Sequence, residues 1–320
     1  MQAVVKAEKK AKPKRIWESL KKEMRKHWML YLMVAPAVFA LFIFNYLPMA
    51  GLVMAFQKLD FKKGIFTSPW VGLDNFKFLF STSDAWIITR NTVCYNVTFI
   101  VLNLVLSVGL ALIMNELTCK RHSKVLQTMY IMPHFLSTVV ISTIVYAFLS
   151  PMDGLVNSII EANGGNQVNW YAQKAVWPFL LVLVYLWKSV GYSSVVYMAT
   201  ISGISAEYYE AAALDGASKW QQVKYITIPH MRTIICINTI MAIGKIFRGD
   251  FGLFYTVPRD SGMLYSVTDV LDTYIYRGLK TLNNPGMSTA AGLYQSVVGF
   301  VLVLIANKIV SKIDSDSAMF

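Results

Sequence analysis

Hydrophobic and polar positions in this 320-residue chain fall in long blocks, each far wider than one face of a surface helix. From Trp28 to Gln57, 30 consecutive residues carry no charge. A helix needs about 20 apolar residues to cross a bilayer, so this block is long enough. Five more follow at Val93–Met114, Gln127–Leu149, Trp177–Ile204, Met231–Phe251 and Met287–Ile309. Pro36, Pro48 and Gly51 are candidate kink positions in the first, and the third carries Pro133 and His134. Lys188 sits inside the fourth. The fifth is the shortest, with only Thr233–Gly244 lying between Arg232 and Lys245. The pattern predicts an all-α membrane protein of six transmembrane helices.

Ser205–Pro229 is a polar island between the fourth and fifth blocks. Ser205 is placed to cap a helix from Ala206, its hydroxyl satisfying an orphan backbone N–H. Ala211, Ala212 and Ala213 are the strongest helix formers. Asp215-Gly216 should end that helix, because Gly accepts a positive φ and Asp favours turns. A second short helix is expected from Ala217, stopping before Pro229 where the backbone donor is lost. The island reads as a helix–turn–helix on the membrane surface.

Composition narrows the class. A chain that is 55% hydrophobic, with mean hydropathy +0.46, is too apolar for an ordinary soluble domain. The net charge of +12 invites a nucleic-acid reading, but residues 1–27 alone hold ten Lys/Arg against three Glu. That arm reads as a cytosolic anchor and orientation signal, with membrane lipid as its partner and no nucleic acid. The first apolar block is too long for a cleaved signal sequence. Cys94, Cys119 and Cys236 form no pairing or metal-binding pattern. The chain thus divides into a basic arm (1–27), a transmembrane domain (28–311) and a short tail (312–320).

The arm places the N-terminus in the cytosol; outside it, Lys and Arg divide eight inside against eleven outside, so the first helix decides. Six crossings then put both ends and Ser205–Pro229 on the cytosolic side. Two outer stretches are candidate docking platforms for an external protein, Ser68–Phe76 and Asp269–Leu279. Interfacial packing of their aromatic rings explains them equally well.

Glu210-Ala211-Ala212, Gly216 six positions after the glutamate, Ile226 ten after the glycine, and Ile228-Pro229 resemble the EAA loop. That loop marks the membrane subunits of binding-protein-dependent ATP-binding-cassette (ABC) importers. Ile228 stands where the family usually has leucine. Phe44–Gly51, Trp70-Val71-Gly72, Trp187–Gly191, Asp250–Tyr255, Val270–Tyr274, Tyr276–Leu279 and Gly292–Ser296 are similar to the branch that imports oligosaccharides. The resemblance covers residues 28–320 and implies a type I importer fold. Glu210, Ala211, Ala212, Asp215, Gly216, Ile226 and Pro229 would then form the loop that couples to an ATPase. The implied partners are a second, similar permease chain, two cytosolic ATPase subunits and an external substrate-binding lipoprotein.

No Gly-x-x-x-x-Gly-Lys-Ser/Thr loop exists to cradle a nucleotide, so ATP and Mg²⁺ are expected on the partner ATPase and no cofactor on this chain. No Ser/His/Asp set or metal-spaced cluster marks an enzyme. A sugar path needs aromatic faces and amides, which Asn96, Asn103, Tyr146, Tyr185, Trp187, Asn238, Tyr294 and Gln295 supply in or near the spans. Helix-to-helix bonding and packing are the other explanation of each. Lys188 either bonds within the helix bundle or borders the path. Import of a non-sugar solute stays open. So does an ion-coupled secondary transporter, although all 18 acidic residues lie outside the span cores.

Overall fold

The computed structural model describes residues 23–77, 83–117 and 120–313. Most of the basic arm (1–22), Cys119 and the tail from 314 lie outside the described residues. The chain forms two compact units, one ending at Val53 and one beginning at Met54. In the first unit α1 (Trp28–Leu41) carries Pro36 without a break. It passes through a π turn at Phe42–Tyr46 into 3₁₀ winding from Leu47. Pro48 has no N–H to offer the Phe44 carbonyl, and the winding changes beside it.

The second unit is built on α2 (Ser83–Asn115), α3 (Lys120–Ile131), α4 (Thr138–Leu149), α5 (Leu155–Ala162) and α6 (Trp177–Ser202). Then come α7 (Ala206–Leu214), α8 (Lys219–Gln222), α9 (Ile228–Ile243), α10 (Tyr265–Thr268), α11 (Leu271–Lys280) and α12 (Pro285–Ile313). α2 has 33 residues, about 50 Å at the helical rise, which exceeds the roughly 30 Å hydrocarbon layer. α2 packs along α6, and Phe99 stacks on Tyr185 with ring centroids 3.8 Å apart. Around that pair a core collects Tyr95, Ile141, Trp177, Leu181, Phe254 and Val270. A second, smaller core joins Ala111, Tyr197, Ile201 and Met231. α6 and α3 approach so closely that a Cβ at Gly191 would lie 1.9 Å from the Tyr130 carbonyl oxygen.

Among the described residues, five helical runs are long and apolar enough to cross a membrane: Trp28–Phe56, Asp84–Asn115, Trp177–Ser202, Lys219–Ile243 and Pro285–Lys312. The third predicted span differs from a continuous helix. Arg121–Phe135 and Thr138–Leu149 meet at 97°, with Leu136 and Ser137 between them and Pro133 in the last turn of the first half. A 3₁₀ turn at Met132–Phe135 ends in extended Leu136, after which the Ser137 hydroxyl accepts from the Val140 N–H and restarts the helix. The fifth span also differs, because its helix runs from Lys219 to Ile243 and ends before Phe251.

Candidate coupling loop and transport cavity

The loop over 205–229 is shaped by its own caps. Ser205 accepts from the Glu207 N–H at 3.3 Å, which starts α7. Gly216 has φ +80°, and the Ala217 and Gly216 N–H groups return to the Ala212 and Ala213 carbonyls at 2.9 and 3.1 Å. This is a Schellman ending, and its left-handed position suits glycine. Ser218 and Gln221 then form a reciprocal capping box that opens α8. Contrary to expectation, the second helix does not stop at Pro229. A π turn at Val223–Thr227 leads directly into α9, where Pro229 occupies the first turn and its missing N–H costs little. His230 Nδ1–H reaches back to the Ile226 carbonyl at 2.6 Å.

The Tyr209 and Thr227 hydroxyls, 2.9 Å apart, hold the two ends of the loop together, and Lys219 pairs with Glu116, just past the end of α2, at 3.2 Å, which ties the loop to the body. Glu210, Ala211, Asp215 and Pro229 are exposed, while Ala212 and Ile226 are half-buried. Leu214 is 91% exposed and Trp220 71%, so the loop presents two large apolar side chains to its surroundings.

A cavity of about 350 Å³ lies between α2, α6 and α9. It gathers Asn96, Asn103, Tyr185 and Asn238, four of the residues singled out from the sequence. Asn103 donates to the Ser193 hydroxyl at 3.1 Å and accepts from Ser107 and Ser189 at 3.2 and 3.3 Å, so its amide also ties α2 to α6. Asn96 donates to the Thr92 carbonyl at 2.8 Å, which leaves its side-chain oxygen as an acceptor. Tyr192 and Lys245 also line it and are additions to the sequence reading. Their signal is spacing: Asn96 and Asn103, Tyr185 and Tyr192, and Asn238 and Lys245 are each seven residues apart. Two helical turns put each of the first two pairs on one face, and Lys245 follows just past the end of α9.

The other predicted path residues sit elsewhere. Trp187 is 46% exposed, about 200° around α6 from Tyr185. Lys188 is half-buried and has no carboxylate partner among the described residues. Tyr294 meets Phe247 edge-on at 6.1 Å. Gln295 is buried and donates to the Phe247 carbonyl and to Asp272, which ties α12 to the segment before α11. Tyr146 lines a separate cavity beside α4.

Charged groups cluster in the segment between α9 and α12. Arg277 pairs with Asp260 at 2.8 Å and with Asp269, and its guanidinium lies 4.0 Å above the Tyr265 ring. Burial pushes the Asp269 carboxyl above its usual range, opposed by the Thr273 hydroxyl and Arg277. Asp272 is likewise raised by burial, opposed by hydrogen bonds from the Gly249 N–H and Gln295. Asp269 and Arg277 fall within one of the sequence's candidate docking stretches, and here they form an internal clasp.

Residues 107–315 match the family described as "Binding-protein-dependent transport system inner membrane component". The chain is 31% identical to the polygalacturonan/rhamnogalacturonan transport system permease protein YteP of Bacillus subtilis, over 91% of this chain and 93% of that protein. It is 32% identical to Protein LplB of the same organism, over 91% of each. A crystal structure of a bacterial ABC transporter involved in the import of the acidic polysaccharide alginate superposes with TM-score 0.83 and 32% identity. That match covers 92% of this chain and 99% of the other. The helical architecture, the capped loop after α6 and these similarities agree: this chain belongs to the family of inner-membrane permease components of binding-protein-dependent ABC importers.

Proposed function

We propose that this permease carries an oligosaccharide across a bacterial plasma membrane, with both termini in the cytosol. A second permease chain, two cytosolic ATPase subunits and an external binding lipoprotein complete the working complex. ATP and Mg²⁺ bind the ATPase subunits. The observation that carries the reading is the three-helix cavity, where Tyr185 and Tyr192 supply aromatic faces and Asn96, Asn238 and Lys245 supply polar groups. Its volume falls within the range of about 300–1,000 Å³ typical of small-molecule sites. Similar proteins named for polygalacturonan/rhamnogalacturonan, lactose and alginate support a saccharide over other solutes.

In the cycle, the 205–229 loop seats in a cleft of the ATPase. Leu214 and Trp220 provide apolar contact, and Glu210 meets a cation of the partner. ATP-driven closure of the ATPase pair draws the two permease loops together and turns the cavity from inward- to outward-facing. Proteoliposomes holding the whole complex, with binding protein on one side and ATP on the other, test the reading. Labelled oligosaccharide should enter against an uncoupler for as long as ATP is maintained. Uptake that collapses with the ion gradient while ATP persists would reject the ATP-driven assignment.

A further inference from the structure

A second cavity, of about 410 Å³, lies apart from the three-helix site. α4 supplies Thr143 and Tyr146 to it, and the segment after α9 supplies Tyr255, Arg259 and Asp260. The turn at its rim has an uncommon backbone. Arg259 and Asp260 are adjacent and both left-handed, with φ 55° and 48°, a region that side-chain-bearing residues seldom enter. Two adjacent residues of this kind persist only where the surroundings over-determine them, and such strain gathers at ligand sites.

Here the holding contacts are on either side of the turn. The Asp260 carboxylate accepts from Arg277 Nη1 at 2.8 Å and from the Tyr265 hydroxyl at 3.1 Å. Its charge is therefore already matched. The Arg259 guanidinium lies 4.0 Å from the Tyr146 ring centroid. That contact with the ring face helps to hold the guanidinium in place, and its N–H donors bond to no group among the described residues. The side chain is exposed, and it has no carboxylate partner among the described residues. A pre-aimed, unpaired guanidinium fork matches the two oxygens of a carboxylate.

The cavity also neighbours the first. Phe254, next to Tyr255, packs 6.2 Å from Phe99, and Phe99 lines the three-helix site.

We infer that this cavity is a second saccharide subsite, where Arg259 grips the carboxylate of an acidic sugar residue beside the Tyr146 and Tyr255 rings. The inference rests on the oligosaccharide reading above.

A charge series in the full reconstituted complex tests it: Arg259→Lys, Arg259→Asn and Arg259→Glu. Asparagine is the least strained of these in a left-handed position, so Arg259→Asn isolates the charge from the turn. Uptake of trigalacturonate should fall about threefold for Arg259→Lys, about tenfold for Arg259→Asn and further for Arg259→Glu, as expected for loss of one charge-assisted hydrogen-bonded pair. Complex assembly and basal ATP hydrolysis should stay at wild-type levels. Uptake that is level across the series, or a loss that tracks loss of the assembled complex, would overturn the assignment. A panel of acidic and neutral trisaccharides separates it from the broader reading. Wild-type import of neutral members alone removes the carboxylate site and leaves oligosaccharide transport standing; import of none removes both.

Discussion

The caps that shape the 205–229 loop join residues two to five positions apart, whereas Asn103 at the cavity reaches partners 86 and 90 positions away. The loop keeps its form through Ser205, Gly216 and Ser218, and it turns Leu214 and Trp220 outward. The cavity has no form until α2, α6 and α9 are side by side. The contrast bears on how such a permease works. On the proposed function the loop meets a separate protein and has to hold its shape whether or not that partner is seated, and local capping achieves that. A path that opens and closes needs walls on separate helices, so that helix movement changes it. The loop should accordingly fail in coupling while the chain still folds, and the helix contacts should fail in folding first.

Gly191 gives the largest expected effect on the tertiary side. A Cβ there would stand 1.9 Å from the Tyr130 carbonyl oxygen, 2.7 Å from its carbon and 2.9 Å from the Tyr130 ring. Two of those atoms are backbone and cannot swing aside. Gly191→Val has to separate α3 from α6, at a cost of about 3 kcal/mol or more for overpacking at a close helix crossing. The expected outcome is little monodisperse protein in detergent and no assembled complex. Ordinary yield with normal uptake would show that this crossing is softer than its geometry.

The same contrast explains what could be read in the sequence. Ser205 and Gly216 were legible because capping rules act over a few residues and do not depend on the rest of the chain. Pro229 misleads for a local reason of its own: a proline ends a helix in its interior but is welcome in the first turn, and the π turn at Val223–Thr227 supplies that start. Pro133 announces a break in the third span, yet the 97° angle depends on what the two halves pack against. At the cavity, the seven-residue pairs are visible in the sequence, including Tyr192 and Lys245. Which helices oppose one another is not, because that is decided by contacts such as Gly191 against Tyr130. Tyr146 shows the consequence: its chemistry suits a sugar, and the fold assigns it to the other cavity.

Gly216→Val sharpens the local side, with an intermediate effect. Nothing lies within 4 Å of a Cβ built at Gly216, so the substitution meets no steric obstacle and acts through its φ of +80° alone. A left-handed β-branched residue costs about 1–2 kcal/mol, enough to favour another ending for α7. Insertion and detergent stability should change little. ATP hydrolysis stimulated by loaded binding protein should fall about tenfold, the factor that about 1.4 kcal/mol corresponds to. Glu210→Ala should lower the same stimulation with the loop geometry intact, since Glu210 is exposed and is not part of a cap. Stimulation at the wild-type level in both variants would remove the loop from the coupling role.

Asp272 carries the smallest expected effect and tests whether the tertiary side includes a cost that the fold tolerates. One carboxylate oxygen, Oδ2, accepts from both the Gly249 N–H and the Gln295 amide. Asp272→Asn can place its amide oxygen there and keep both bonds. What it removes is the charge, whose burial raises the Asp272 pKa against the opposing hydrogen bonds and Arg248. A carboxyl raised in the folded state binds its proton more tightly there than in the unfolded chain. Stability therefore declines as pH climbs from the unfolded carboxylate pKa, about 4, through the raised folded value, and the full cost is present above it. In melting experiments from pH 4.5 to pH 8, wild type should lose stability relative to Asp272→Asn as pH rises. The variant should be at least as stable at neutral pH, less whatever attraction to Arg248 it gives up. A constant difference between the two at every pH would mean that Asp272 contributes only its hydrogen bonds, with no titration linked to folding.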